Sequence, residues 1–158
     1  RGWKKIAEEF RKAADKPFVK VGFVGSTGEA THKESEMTVA QLAAIHEYGS
    51  EDGTIPERSF IRGTLTKEAQ KIQSVIQNLL KNIIFQKTDT QTALGRLGLF
   101  GVSLIKNRIT TERIPPPLKP ATVQAKTRDG KTGEVPLVDT AQMLNSIRHE
   151  VVMDGRDE

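Results

Sequence analysis

No cysteine occurs among the 158 residues, which excludes disulfides and thiolate chemistry. Aromatic residues are scarce: six Phe, one Trp and one Tyr. A stacking platform for single-stranded nucleic acid needs exposed rings in series, and the chain supplies it poorly. No apolar run approaches the roughly 20 residues that span a bilayer, and no segment reads as a signal peptide. A strong charge of one sign is missing too. The 24 basic residues face 20 acidic ones, and the two signs are mixed along the chain. A formal net charge of +4 tolerates an acidic or nucleic-acid partner without requiring one.

Motifs that carry chemistry are missing in the same way. His32, His46 and His149 are isolated, and His46-Glu47 lacks the second histidine four residues on that a zinc-binding helix needs. There is no Gly-x-Ser-x-Gly elbow. The glycines at 22, 25 and 28 lack the Lys-Ser/Thr ending and following helix of a phosphate-binding loop. Glu8-Glu9 and Glu34 with Glu36 read as solvated charge. The expectation is a non-enzymatic protein with no catalytic residues, no metal and no cofactor. Lys4, Lys5, Arg11 and Lys12, and Lys119, Lys126, Arg128 and Lys131, form two basic groups that suit phosphates. Interleaved acids make solvated faces the simpler reading, and no helix-turn-helix or zinc-finger spacing accompanies them.

What the chain does have is a clear order of elements. Trp3, Ile6, Ala7, Phe10 and Ala14 recur at helical spacing, so residues 1–17 form an N-terminal amphipathic helical segment. Residues 18–25 alternate as a strand, with Val19, Val21 and Phe23 on one face. Residues 26–37 are polar and read as a loop or exposed hairpin tip. Thr38 and Gln41 have capping-box spacing ahead of a helix over 39–48, and Gly49 suits a left-handed C-terminal cap. A long helix is expected from near Ser59, with Leu65, Ala69, Ile72, Val75, Ile76, Leu79, Leu80 and Ile83 as its apolar stripe.

A third long helix is expected from Thr90 to about Arg108. Its Gly95, Gly98 and Gly101 predict close approach by another helix, because each glycine costs about 1 kcal/mol in a helix interior. Residues 114–118 must be extended through Pro115, Pro116 and Pro117. Asp139 or Thr140 can cap a short helix holding Met143 and Leu144. Residues 147–153 read as a last strand, and 154–158 as a short polar tail.

These elements predict an α+β fold, with 18–153 as a single domain. Strands from both ends of the chain would form a small antiparallel sheet under the long helices. Two strands alone are marginal, so a third is expected from 26–37 or from a neighbouring subunit. With 36% hydrophobic residues the core is lean, and assembly would complete its packing.

Three segments in order carry a family resemblance. The first is Val39-Ala40-Gln41-Leu42-Ala43-Ala44-Ile45-His46-Glu47-Tyr48-Gly49, followed by Ile55-Pro56-Glu57-Arg58-Ser59-Phe60-Ile61-Arg62. The second runs from Gly101 through Ile109 into Pro116-Pro117-Leu118-Lys119-Pro120-Ala121-Thr122, and the third from Pro136 to Ile147. Together they resemble the neck and tail-completion (head–tail joining) proteins of long-tailed bacteriophages. That family includes minor tail components of lambda-like siphophages and related virion-morphogenesis proteins. Ser59 stands where relatives often have a second proline, and Ala141 where many have glycine.

The resemblance implies a structural virion component at the head–tail junction, assembled in the host bacterial cytoplasm. It would form a homo-oligomeric ring of six or twelve subunits, between a connector or head-closure protein and a tail-terminator or tail-tube protein. Genomic DNA would pass through the bore with weak, non-specific contact, and no membrane would be involved. A tail terminator, a head-closure protein, or a basic non-specific nucleic-acid-binding protein are the alternatives.

Within the matching segments Gly49, Pro56, Phe60, Asp139 and Thr140 read as fold determinants. Exposure and polarity alone select the candidate partner contacts: Glu29, His32, Lys33, Glu36, Pro115, Pro116, Pro117, Arg128 and Lys131.

Overall fold

Alternating apolar residues near one end of the chain need a partner strand, and the partner comes from the other end. In a computed structural model, β1 (Phe18–Gly22) pairs antiparallel with β2 (Arg148–Val152). The structure describes residues 16–32, 36–112, 114–120, 123–124 and 142–154, together with residues 4, 7, 8 and 11. The expected N-terminal amphipathic helix falls outside these, apart from those four positions. The register sets Val19 opposite Val151 and Val21 opposite His149, which puts these four on one face of the sheet. Lys20 and Glu150 oppose each other on the other face.

Among the described residues the remaining elements are helices. They are α1 (Ser26–Glu29), α2 (Val39–Tyr48), α3 (Arg62–Lys67), α4 (Ala69–Ile84), α5 (Thr90–Thr111) and α6 (Gln142–Ser146). The result is the α+β architecture expected, with the sheet built from strands near both ends. Asp89 starts α5 by accepting from the Thr92 backbone N–H at 2.8 Å and from its hydroxyl at 2.9 Å.

Five expectations are corrected. The glycines of α5 do not receive another helix; they receive the sheet. A Cβ on Gly98 would lie 2.5 Å from His149 Cδ2, and one on Gly101 would lie 3.2 Å from a Val21 methyl. Only glycine lets both strands settle so close to the helix axis, and that contact shelters an otherwise marginal two-stranded sheet. Gly95 meets nothing.

Residues 26–37 supply no third strand among the described residues. They form α1 and an isolated Thr31–Thr38 bridge, with the His32 N–H donating to Met37 O at 2.9 Å. β1 also ends at Gly22 instead of running to Gly25, because Phe23 turns into the core and meets Phe60 edge-on at 6.2 Å.

The long helix expected from Ser59 is two helices, α3 and α4. Its turns are interrupted at Glu68, whose ψ of 12° departs from helical values. The stripe of that long helix is also less buried than its pattern implies. No α4 residue is fully buried.

The core proper is Val39, Ala43, Phe60, Ile105, Ile109, Ile114, Met143 and Ile147, with Val21, Phe23, Ile61, Val102 and Leu144 packed around it. It sits where α2, α5, α6 and the start of α3 converge.

The glycine contacts give a paired test. Gly98→Ala should destabilise the fold by about 1–3 kcal/mol, because the His149 ring and its Cβ must move. Gly95→Ala should stabilise it by about 0.5–1 kcal/mol, through helix propensity with no new contact. Urea denaturation of the two variants measures both.

Candidate functional site

The unit spanning residues 39–62 is built around one buried carboxylate. α2 starts with the expected capping box: Gln41 N–H donates to Thr38 Oγ1 at 3.1 Å, and Thr38 N–H donates to Gln41 Oε1 at 2.9 Å. It stops at Gly49, whose N–H closes the last turn on Ile45 O. Gly49 has φ 85° and ψ 165°, so the cap is not the left-handed αL form expected but an extended positive-φ conformation open to glycine. A Cβ there would also press on Glu57 N at 3.1 Å and Ile55 O at 3.2 Å. The chain therefore folds back tightly, and Arg58 N–H donates to His46 O at 2.8 Å.

The return loop is held by its own side chains. Asp52 Oδ1 accepts from the Ser50 hydroxyl at 2.5 Å and from the Thr54 N–H and hydroxyl at 3.0 and 2.8 Å. These bonds, the Ser50 hydroxyl first, pull its carboxyl down to about 2.

Glu47, 4% exposed, sits one residue from the end of α2 and reaches across to the start of α3. Its Oε2 accepts from Ile61 N–H at 2.8 Å. Its Oε1 accepts from Arg62 N–H at 2.9 Å, from the Ser59 hydroxyl at 2.9 Å and from Arg62 Nε at 3.1 Å. The first N–H groups of a helix have no partner within it, and the carboxylate satisfies them while meeting the positive end of the helix dipole. Ser59 takes part as well, accepting Gly63 N–H at 3.0 Å.

Burial pushes the Glu47 carboxyl up, but the bonds from Ile61, Arg62 and Ser59 together outweigh it and hold it below its ordinary 4.5. Arg62 closes the cluster. Its Nη2 donates to Glu57 at 2.7 Å and its guanidinium lies 4.4 Å from the centre of the Tyr48 ring. The bond to Glu47 is the first cause raising its pKa.

A second tie leaves the unit through Arg58, which is 5% exposed and whose guanidinium pKa burial pushes down. Its Nε donates to Pro116 O at 3.1 Å, across 58 residues of chain. The proline run is thus anchored from beneath while Pro115, Pro116 and Pro117 stay exposed. Phe60 is wholly buried and Pro56 partly so.

Of the expected partner contacts, Glu29 and Glu36 are exposed. His32 is not: it is 8% exposed, and the Thr31–Thr38 bridge turns it inward, so selecting it for exposure was mistaken. Lys33, Arg128, Lys131, Asp139 and Thr140 lie outside the described residues. Among the described residues no group of three or more His, Cys, Asp or Glu could hold a metal ion. No helix there is long and apolar enough to cross a membrane.

Sequence reasoning weighed Glu47 only as half of a metal motif and missed its role. One signal was present. An acid in the last turn of a helix opposes that helix's dipole, so it implies a compensating partner elsewhere. Comparison of the chain with models of protein families, with curated proteins and with solved structures finds no match in any of the three.

Glu47→Gln should lower stability by about 2–4 kcal/mol, since an amide presents a donor to groups that all donate. The stabilisation from the wild-type carboxylate is complete above its unfolded pKa near 4.5. It is lost as pH falls through the lower folded value. Denaturation followed from pH 7 to acid should therefore show an acid limb that Glu47→Gln flattens.

Proposed function

We propose that this chain is a non-enzymatic structural protein of a tailed-phage virion, part of a ring at the head–tail junction that joins the head connector to the tail tube. One observation supports the reading. The three segments that carry the family resemblance, far apart in sequence, fold into one packing unit. Val39, Ala43 and Phe60 from the first, Ile105 and Ile109 from the second, and Met143 and Ile147 from the third share a single core. Arg58 of the first also binds Pro116 of the second.

The geometry also suits a ring subunit. The polar groups of the Glu47 joint are engaged with one another, which leaves rigid backbone in place of a reactive cleft. Pro115, Pro116, Pro117, Glu29 and Glu36 are exposed and available to neighbours. Proline-bound backbone loses little freedom on docking. The partners in this reading are further copies of the chain, a connector or head-closure protein on one side and a terminator or tail-tube protein on the other. DNA passing through the bore meets scattered basic side chains that bind it weakly and without sequence preference.

Silencing the gene in its phage and imaging the lysate tests the role. The expected result is full heads beside free tails of normal length. Overlong tails would assign termination instead. Normal virions would overturn the reading and favour a basic nucleic-acid-binding protein, which a steep fall of DNA affinity with salt would then identify.

A further inference from the structure

Glu47 shows what a buried charge needs: four donors, the Arg62 guanidinium among them, converge on its oxygens. Arg58 is nearly as deep, at 5% exposed, and has no such company. Among the described residues none forms an ion pair with it. Its one side-chain hydrogen bond there runs from Nε to the Pro116 carbonyl at 3.1 Å. A neutral carbonyl satisfies one of the guanidinium's N–H groups and leaves the positive charge uncompensated.

Burial alone acts on the Arg58 pKa, and it acts downward; no carboxylate raises it as Glu47 does for Arg62. A lysine so placed could shed its proton, but a guanidinium keeps its charge. An uncompensated buried charge is a costly feature, and an arriving anion removes much of that cost.

The free edge of this guanidinium can be reached. Nε and Nη1 of Arg108 are sealed from solvent without a hydrogen bond, whereas neither Nη of Arg58 is sealed in that way. The bond to Pro116 sets the guanidinium against the proline run, beside exposed Pro115, Pro116 and Pro117. With Nε taken, Nη1 and Nη2 remain as two parallel donors, matched to the two oxygens of one carboxylate.

The recess selects what carries the anion. A nucleic acid is held by exposed cations that the phosphates of a bulky backbone can meet. A guanidinium so little exposed lies too deep for that contact, but an Asp or Glu side chain is a narrow arm that can enter. The prolines beside it are uncharged and stiff, so they can shield the pair from water at little cost in freedom.

We propose that Arg58 is an anion-receiving site for a partner protein: an aspartate or glutamate side chain enters beside the proline run and pairs end-on with Nη1 and Nη2. The site requires only a docking protein and does not depend on the virion reading.

Sodium acetate is the probe, with sodium chloride and inorganic phosphate at equal ionic strength for comparison. In magnetic resonance of the isotope-labelled full chain, the Arg58 side-chain signals should shift with acetate and saturate. Saturation should come at a concentration about tenfold below that which moves exposed Arg96. Acetate should also raise the thermal midpoint of the wild-type chain above its value in chloride, and Arg58→Met should lose that rise. Where Arg58→Met does not fold, the wild-type titration decides. The proposal is overturned if Arg58 responds to acetate no more than Arg96 does. Saturation by phosphate below the acetate concentration would also overturn it and assign the site to a phosphate ligand. It fails as well if the Arg58 Nη signals show the hindered rotation of an ion pair before any probe is added, for then a carboxylate of the chain itself fills the site.

Discussion

A carboxylate in the last turn of one helix, turned onto the first turn of another, is the interaction on which the rest of this molecule depends. Glu47 opposes the dipole of α2 but complements that of α3, and the second effect prevails because four donors converge on its two oxygens. Through it the chain turns from α2 to α3 with a defined angle, despite a loop that lies mostly in solvent. The buried charge is tolerable only because every donor is in place. The joint therefore behaves as a unit: it is formed, or the charge is exposed and the turn is lost.

What the joint orients is the core. Phe60 lies between the donors Ser59 and Ile61, so fixing those donors aims its ring at Phe23 and at the interior. Arg58, on the other side of Ser59, fastens the proline run that follows α5. Long-range order in this protein thus radiates from a few consecutive residues. The sheet adds its own constraint, since Gly98 and Gly101 let both strands approach one helix more closely than any side chain would allow. A lean hydrophobic content suffices because polar joints and close backbone contacts set the geometry.

Local features were legible in the chain and partners were not. The Thr38–Gln41 capping box, the extent of α5 and the two terminal strands follow from spacing and cap chemistry, which act within a few residues. A stripe of glycines says that something comes close and not what, so a helix was expected where a sheet lies. Amphipathic spacing in α4 says which face is apolar and nothing of how much of it is covered. The role of Glu47 spans two helices and a loop, beyond the reach of a local pattern. Among the candidate contacts Glu29, Glu36 and the prolines are exposed as polarity and chain stiffness imply. His32 is buried because a backbone bridge folds its segment inward. The proposed function rests on a family resemblance and not on any local pattern of residue types.

The pairing of β1 with β2 bears on how the protein comes to be folded at all. About 125 residues separate the two strands, so the contact is among the most non-local the chain can make, and closing so long a loop costs more than a local turn. During synthesis α2 and α5 exist before β2 does, and Ile147, a wholly buried part of the core, arrives with β2. Until then β1, which lies against Gly101 through Val21, has no partner strand, and Gly98 lacks its contact with His149. β2, made after every other described element, thus completes both the sheet and the core, so a chain that stops short of it lacks both.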